Sequence, residues 1–145
     1  MNHSLKIYCA GPIRGDLRHV ESYYQIVALV WQLGHTPLTE LALSETEAAK
    51  ASDKDIFLRD LQWLQQADAL VAEVSGPSLG VGYEIAYALH ALTIPVLCVR
   101  KHSSNELSAM ITGNFSRQLT IKEYLSGQEL DQIVKEFLKD LESDR

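Results

Sequence analysis

Ala69-Leu-Val-Ala-Glu-Val-Ser-Gly-Pro-Ser-Leu-Gly-Val-Gly-Tyr-Glu84 is the stretch that settles the fold class. Ala69 to Val74 is an apolar run of strand length, interrupted only by Glu73. Ile85 to Leu92 reads as a helix. Between them lies a turn of small residues, Ser75 to Gly82, with Glu84 just inside the helix. A strand feeding a helix through such a turn presents unpaired backbone N–H groups and the positive end of the helix to an anion. Glu84 is then a candidate nucleophile or base beside a bound phosphate. The alternative is that Ser78 only caps the helix and Glu84 sits on its surface.

The same alternation extends to both ends of the chain. Leu5 to Ala10 reads as a first strand, closed by Gly11-Pro12. A helix follows from Leu17 to Gly34, with Val20, Tyr23/Tyr24, Val27 and Val30/Trp31 at helical spacing and Gly34 as its stop. His35 to Thr39 fits a short strand, and Pro37 places it at a sheet edge. Residues 41–52 are rich in alanine and glutamate and favour no element. Asp53 to Ala67 reads as a helix with Phe57, Leu61 and Leu64 as its apolar stripe. Pro95 to Val99 is a further strand, Glu106 to Ile111 a short helix, Gln118 to Ile121 a strand and Gln128 to Leu141 a last amphipathic helix. Middle strands that are apolar almost throughout are covered on both faces. The expected fold is therefore a doubly wound, Rossmann-like α/β domain spanning residues 1–145, with a mainly parallel five-stranded sheet. In such a fold ligands sit beyond the carboxyl ends of the strands, where residues 11–16, 75–84 and 100–108 fall.

Composition narrows the function. With 13 basic and 19 acidic residues the net charge is −6, which argues against a nucleic-acid polymer or a membrane surface as partner. No apolar run approaches the roughly 18 residues of a membrane span, and Met1 to Ile7 resembles no export signal. Cys9 and Cys98 lie inside apolar runs and are expected as buried free thiols in a cytoplasmic protein. The five histidines show no metal-ligand spacing, and no GxSxG elbow occurs. Neither a metal nor a cofactor is expected.

A small set of polar residues remains. Arg14, in Gly11-Pro-Ile-Arg-Gly-Asp16, is placed to fork onto a phosphate, or else belongs to a plain solvated turn. Asp60 borders the apolar stripe of its helix, where carboxylates are uncommon unless paired or functional; pairing with Arg59 or Lys54 is the structural alternative. Glu73 points into the cleft or caps an edge. Asp68 closes a turn. Tyr8, late in the first strand, is either a core residue or a hydroxyl that orients a carboxylate. Two carboxylates beside an anion cradle suit cleavage at an anomeric carbon: one attacks or stabilises an oxocarbenium-like centre while the other group manages the proton of the leaving base.

Five segments carry a resemblance from roughly residue 6 to 140: Tyr8-Cys-Ala-Gly-Pro-Ile-Arg-Gly15, Asp60-Leu-Gln-Trp-Leu-Gln-Gln-Ala-Asp68, Ala72-Glu-Val74, Pro77-Ser-Leu-Gly-Val-Gly-Tyr-Glu84 and Leu107-Ser-Ala-Met-Ile111. They resemble the 2'-deoxynucleoside 5'-phosphate N-hydrolases of the nucleoside 2-deoxyribosyltransferase superfamily. The resemblance implies hydrolysis of the N-glycosidic bond of 2'-deoxynucleoside 5'-monophosphates to free base and 2-deoxyribose 5-phosphate. It makes Glu84 the nucleophile that forms a covalent intermediate, Asp60 the acid/base and Tyr8 the group that orients Glu84. Arg14 and Ser78 become phosphate ligands. Ser108 becomes a phosphate ligand donated across a homodimer interface. Gly11, Pro12, Ile13, Gly15, Gly80 and Met110 complete the implied substrate-binding positions. Pro12 departs from the hydrolase pattern, replacing a phosphate-binding serine, and Leu41 replaces a histidine after Thr-Glu. The alternatives are a 2-deoxyribosyltransferase, an N-hydrolase of a ribonucleotide or modified pyrimidine nucleotide, and a catalytically silent nucleotide sensor.

Overall fold

A computed structural model describes residues 3–13, 17–43, 45–102, 104 and 106–145, with backbone alone at 42, 45, 48 and 49. Five strands, β1 (Lys6–Ala10), β2 (Thr36–Leu38), β3 (Ala69–Glu73), β4 (Val96–Lys101) and β5 (Leu119–Tyr124), form one sheet in the order β2-β1-β3-β4-β5. Every pairing is parallel, so the sheet is wholly rather than mainly parallel.

Parallel strands need long crossovers, and helices supply them: α1 (Val20–Gln32), α2 (Glu45–Lys50), α3 (Asp53–Gln66), α4 (Leu79–Ala86) and α5 (Ala109–Thr112), while α6 (Gly127–Ser143) follows β5. A single turn of tighter helix covers Glu40–Ala42, and α4 continues as a wider π-helical turn over Tyr87–Leu92. Strand alternation then divides the core. Ile7, Cys9, Ala69 and Val71 pack with Tyr23, Ile26 and Val30 of α1 and Leu130, Val134 and Leu138 of α6. Tyr8, Ala10, Leu70 and Ala72 face the other way, onto Leu64 of α3 and Val81, Ile85 and Leu89 from α4 onward.

Local signals place the helix ends. Ser52 accepts from the Asp55 N–H while the Asp55 carboxylate accepts from the Ser52 N–H, a reciprocal cap that starts α3. Gly34 follows α1 with φ of +87°, a left-handed conformation that suits glycine. Asp68 bonds outside its own turn, against expectation: it accepts from the Lys6 N–H at 2.8 Å, 62 residues away, and pairs with Arg145 at 2.6 Å. Cys9 and Cys98 are buried free thiols. No described helix is long and apolar enough to cross a membrane.

Two further expectations need correction. Phe57 does not join the core: it is 47% exposed and meets the Tyr83 ring edge-on at 6.2 Å. Helical spacing reports which face a residue shares, not whether a neighbour covers it. Glu73 neither points into the cleft nor caps an edge. It is fully buried and accepts from the Ser75 N–H at 2.6 Å and the Tyr124 O–H at 2.5 Å, so both carboxylate oxygens are satisfied by the β3–α4 turn and β5.

β1 lies between β2 and β3. The chain leaves it toward β2 on one side, while β3 lies on the other. Connections departing in opposite directions leave a crevice beyond the carboxyl ends of β1 and β3.

Candidate active site

A cleft of about 450 Å³ occupies that crevice, and Tyr8, Gly11, Asp60, Ser78, Gly80 and Glu84 are among its lining residues. Each reaches it for a local reason. Tyr8 is the next-to-last but one residue of β1 and faces α3 and α4, so its ring is buried while its hydroxyl extends to the strand end. Ser78 caps α4, its Oγ accepting from the Val81 N–H at 3.3 Å. That leaves the Ser78 O–H, and the N–H groups of Leu79 and Gly80 ahead of the first intrahelical bond, as donors at the positive end of α4. Glu84 stands between buried Val81 and Ile85, at the margin of the α4 stripe.

Tyr8 hydrogen-bonds to Glu84. Burial, followed by the negative charges of Glu84 and Asp60, holds the Tyr8 hydroxyl far above the usual phenol range, so it remains a donor. Glu84 is pushed up to about 7. Burial is the main cause, the Tyr8 hydrogen bond opposes it, and the charges of Asp60 and Glu40 add to it. A carboxylate that titrates near neutrality is matched to acid, base or nucleophilic work.

Asp60 projects from α3 into the same cleft, and the expected pairing with Arg59 is present. The Arg59 Nε and Nη2 atoms lie 3.0 and 2.9 Å from Asp60 Oδ1. Arg59 Nη2 also reaches Glu40 Oε1 at 2.5 Å, and its guanidinium stands 4.9 Å from the centre of the Trp63 ring. Glu40, Trp63, Tyr23 and Thr39 also line the cleft. Sequence reasoning placed none of them there. Glu40 borders the stretch that favoured no element, and Tyr23 reads as core.

Tyr23 is buried for a further reason. The Leu41 N–H donates to Thr39 Oγ1 at 3.2 Å, Thr39 and Tyr23 share a 2.6 Å hydrogen bond, and the Tyr23 O–H donates to the Cys9 carbonyl at 3.1 Å. This relay ties the ends of β1 and β2 to α1. A Cβ on Gly11 would lie 2.3 Å from Tyr23 Cδ2. Packing against Tyr23 therefore requires a glycine at this position.

Pro12 is buried, and Ile13 is exposed at the cleft mouth. Arg14 and Gly15 lie outside the described residues. Ser108 and Met110 do not line the cleft of this chain. Ser108 caps α5 by accepting from the Met110 N–H at 3.2 Å, and Met110 is 81% exposed. Among the described residues no cluster of His, Cys, Asp or Glu is placed to hold a metal ion.

The family model for nucleoside 2-deoxyribosyltransferases matches residues 7–132, a span that contains every cleft residue named above. The chain belongs to the nucleoside 2-deoxyribosyltransferase family. Within that family it is 39% identical over 142 residues to the 5-hydroxymethyl-dUMP N-hydrolase of Danio rerio, covering 94% of this chain and 98% of the relative. That relative's substrate is itself a 2'-deoxynucleoside 5'-phosphate, in line with the resemblance drawn from the five segments. Two solved structures share the fold. The CMP N-glycosidase BcmB of Clostridium botulinum has a TM-score of 0.62 at 13% identity, with 91% and 98% of the two chains covered. The 2-desoxiribosyltransferase of Leishmania mexicana has a TM-score of 0.57 at 20% identity, with 90% and 97% covered.

Proposed function

We propose that this family member hydrolyses the N-glycosidic bond of 2'-deoxynucleoside 5'-monophosphates, releasing the free base and 2-deoxyribose 5-phosphate. The observation that carries the reading is the meeting of Glu84, bonded to the Tyr8 hydroxyl, with Asp60 in the crevice beside the Ser78-capped start of α4. The 39% identity to a 5-hydroxymethyl-dUMP N-hydrolase over nearly the whole chain adds the substrate class.

In this mechanism the 5'-phosphate rests on Ser78 and the free amides of α4, with Arg14 completing its charge balance. This remote anchoring holds the anomeric carbon over Glu84. The Glu84 carboxylate attacks C1', and the C1'–N bond breaks with its electron pair leaving on the base. The Asp60 carboxylate takes a proton from a water molecule and hands it to that base. The hydroxide so formed bonds to C1', and the C1'–O bond to Glu84 breaks, returning the Glu84 carboxylate. Both guanidinium contacts of Arg59 fall on Asp60 Oδ1, so Oδ2 is assigned the proton transfers. The lack of a substrate 2'-hydroxyl lets Glu84 approach, which disfavours ribonucleotides sterically.

The active unit is a cytoplasmic homodimer of single-domain subunits, with Ser108 reaching the partner's phosphate site. Support comes from the apolar side chains left outside: Leu79, Met110 and Phe115 are 97%, 81% and 98% exposed.

A panel of deoxynucleoside and ribonucleoside monophosphates, including 5-hydroxymethyl-dUMP, tests the reading with sugar phosphate release as readout. Release from deoxynucleotides alone is expected. Base exchange without net sugar phosphate, when a second free base is added, would make the chain a transferase. Equal turnover of matched ribonucleotides would remove the steric argument.

A further inference from the structure

The cleft gathers negative charge around a group that must itself be negative to act. Glu84 of α4 faces Tyr8 from β1, Tyr23 from α1, Glu40 from the turn after β2 and Asp60 from α3. An anionic substrate adds to that burden. The cation that meets these carboxylates among the described residues is Arg59, and its placement is specific. Its side chain is 19% exposed, it lies against Trp63, and one nitrogen serves Asp60 and Glu40 at once, at 2.9 and 2.5 Å. An arginine stacked on an aromatic ring keeps its fork in one orientation, which a lysine cannot reproduce.

We propose that Arg59 is a positioning residue for this site. Its guanidinium ties Asp60 of α3 to Glu40 behind β2, offsets both charges, and so leaves Glu84 as the carboxylate able to attack. The Asp60 side chain is thereby fixed in direction while its second oxygen serves proton transfer. The catalytic part of this inference rests on Glu84 as nucleophile, but the charge arrangement is measurable without substrate. The energetic sense follows from the geometry: Asp60 and Glu40 both push Glu84 toward its neutral form, and a cation bound to both weakens that push. A purely structural arginine would affect folding and leave the titration of Glu84 where it is.

The full chain carrying glutamate labelled with 13C at Cδ allows Glu84 to be followed by NMR, its signal assigned by loss in Glu84→Gln. In folded Arg59→Met the Glu84 midpoint is expected to move up by about one pH unit, with Arg59→Lys, which keeps the charge but not the fork, recovering only part of that shift. The low-pH limb of kcat/KM for a deoxynucleotide should move with it, kcat falling more than KM rises. An unmoved midpoint overturns the proposal. Should Arg59→Met fail to fold, Arg59→Gln decides the matter: it removes the charge and keeps a polar side chain, and its Glu84 midpoint must rise, an unchanged value again overturning the proposal. A wild-type chain that yields no sugar phosphate from any nucleotide, yet shows these shifts, would sink the functional reading and leave the role of Arg59 in place. Turnover by wild type with an unmoved midpoint in Arg59→Met would do the reverse.

Discussion

At the scale of single residues, Glu84 is the nucleophile of the proposed mechanism and a stability cost above neutral pH. Its ordinary value is 4.5, and in the folded chain it stands at about 7. Between those values the unfolded chain has lost the proton that the folded chain keeps. The favourable contribution of neutral Glu84 is thus fully present below about pH 4.5 and is lost as pH rises through about 7. Glu84→Gln should therefore abolish sugar phosphate release yet unfold at a higher temperature than wild type at pH 8. The advantage is on the order of 3 kcal/mol, since one pKa unit is worth 1.36 kcal/mol. It should vanish toward pH 4, which a set of thermal melts across pH would reveal. Tyr8→Phe removes the hydrogen bond that favours ionised Glu84. The expected result is a loss of kcat/KM that is deepest near pH 6 and partly recovered near pH 8, since the acidic limb moves upward. A loss of equal depth at all pH values would mean that Tyr8 acts through packing alone. Asp60 was legible at this scale as a carboxylate at the border of an apolar stripe. Its pairing was only half legible: Arg59 is adjacent in sequence, but Glu40, the other ligand of the guanidinium, lies 19 residues away.

At the scale of elements, two positions carry separable predictions. Ser78 does two jobs if the proposed function holds: it caps α4 through the Val81 N–H and offers its hydroxyl proton to the phosphate. Ser78→Ala should cost about 1 kcal/mol of stability, the usual worth of such a cap, and raise KM. Ser78→Asp keeps a capping oxygen, so it should recover the stability in urea unfolding while raising KM further by repelling the phosphate. Recovery of both would show that phosphate binding does not involve this side chain. Gly11 carries a packing constraint from α1. The 2.3 Å approach of a Cβ to Tyr23 cannot be relieved by a flexible chain end, because the Tyr23 ring is fully buried and its hydroxyl is bonded at both sides. Gly11→Ala should destabilise by about 1–3 kcal/mol, the usual range for overpacking, measurable as a lower urea midpoint. The helix starts were readable because Ser52, Ser78 and Ser126 each cap with their own side chain. The α2 region was not, because alanine and glutamate favour a helix without saying where it begins or what it covers.

At the scale of the whole molecule, the exposed Leu79, Met110 and Phe115 and the cap residue Ser108 bear on assembly. Mixing Glu84→Ala with Ser108→Ala subunits should restore part of the activity that each variant lacks, because one of the two sites in a mixed dimer would have both groups intact. No recovery in a mixture shown to exchange subunits would confine the site to one chain. The parallel sheet was nearly implicit in the chain, though not its strand order. Apolar strands alternating with helices demand parallel pairing and two covered faces, and Pro37 marks β2 as an edge. Strand period, helix caps and the Ser78–Glu84 turn are local properties, written in spacings of a few residues, and the sequence by itself determined them. What only the tertiary structure decided are matters of distance between segments far apart in the chain. They include the burial of Glu73 beneath Tyr124, the contact that makes Gly11 obligatory, the exposure of Phe57, and the bridge from Arg59 to Glu40. Charge and hydrogen-bond energies depend on separation in space and on the water excluded around them. Glu84 therefore has an ordinary acidity in the sequence and gains its value near 7 only when β1, α3 and the turn after β2 close around it.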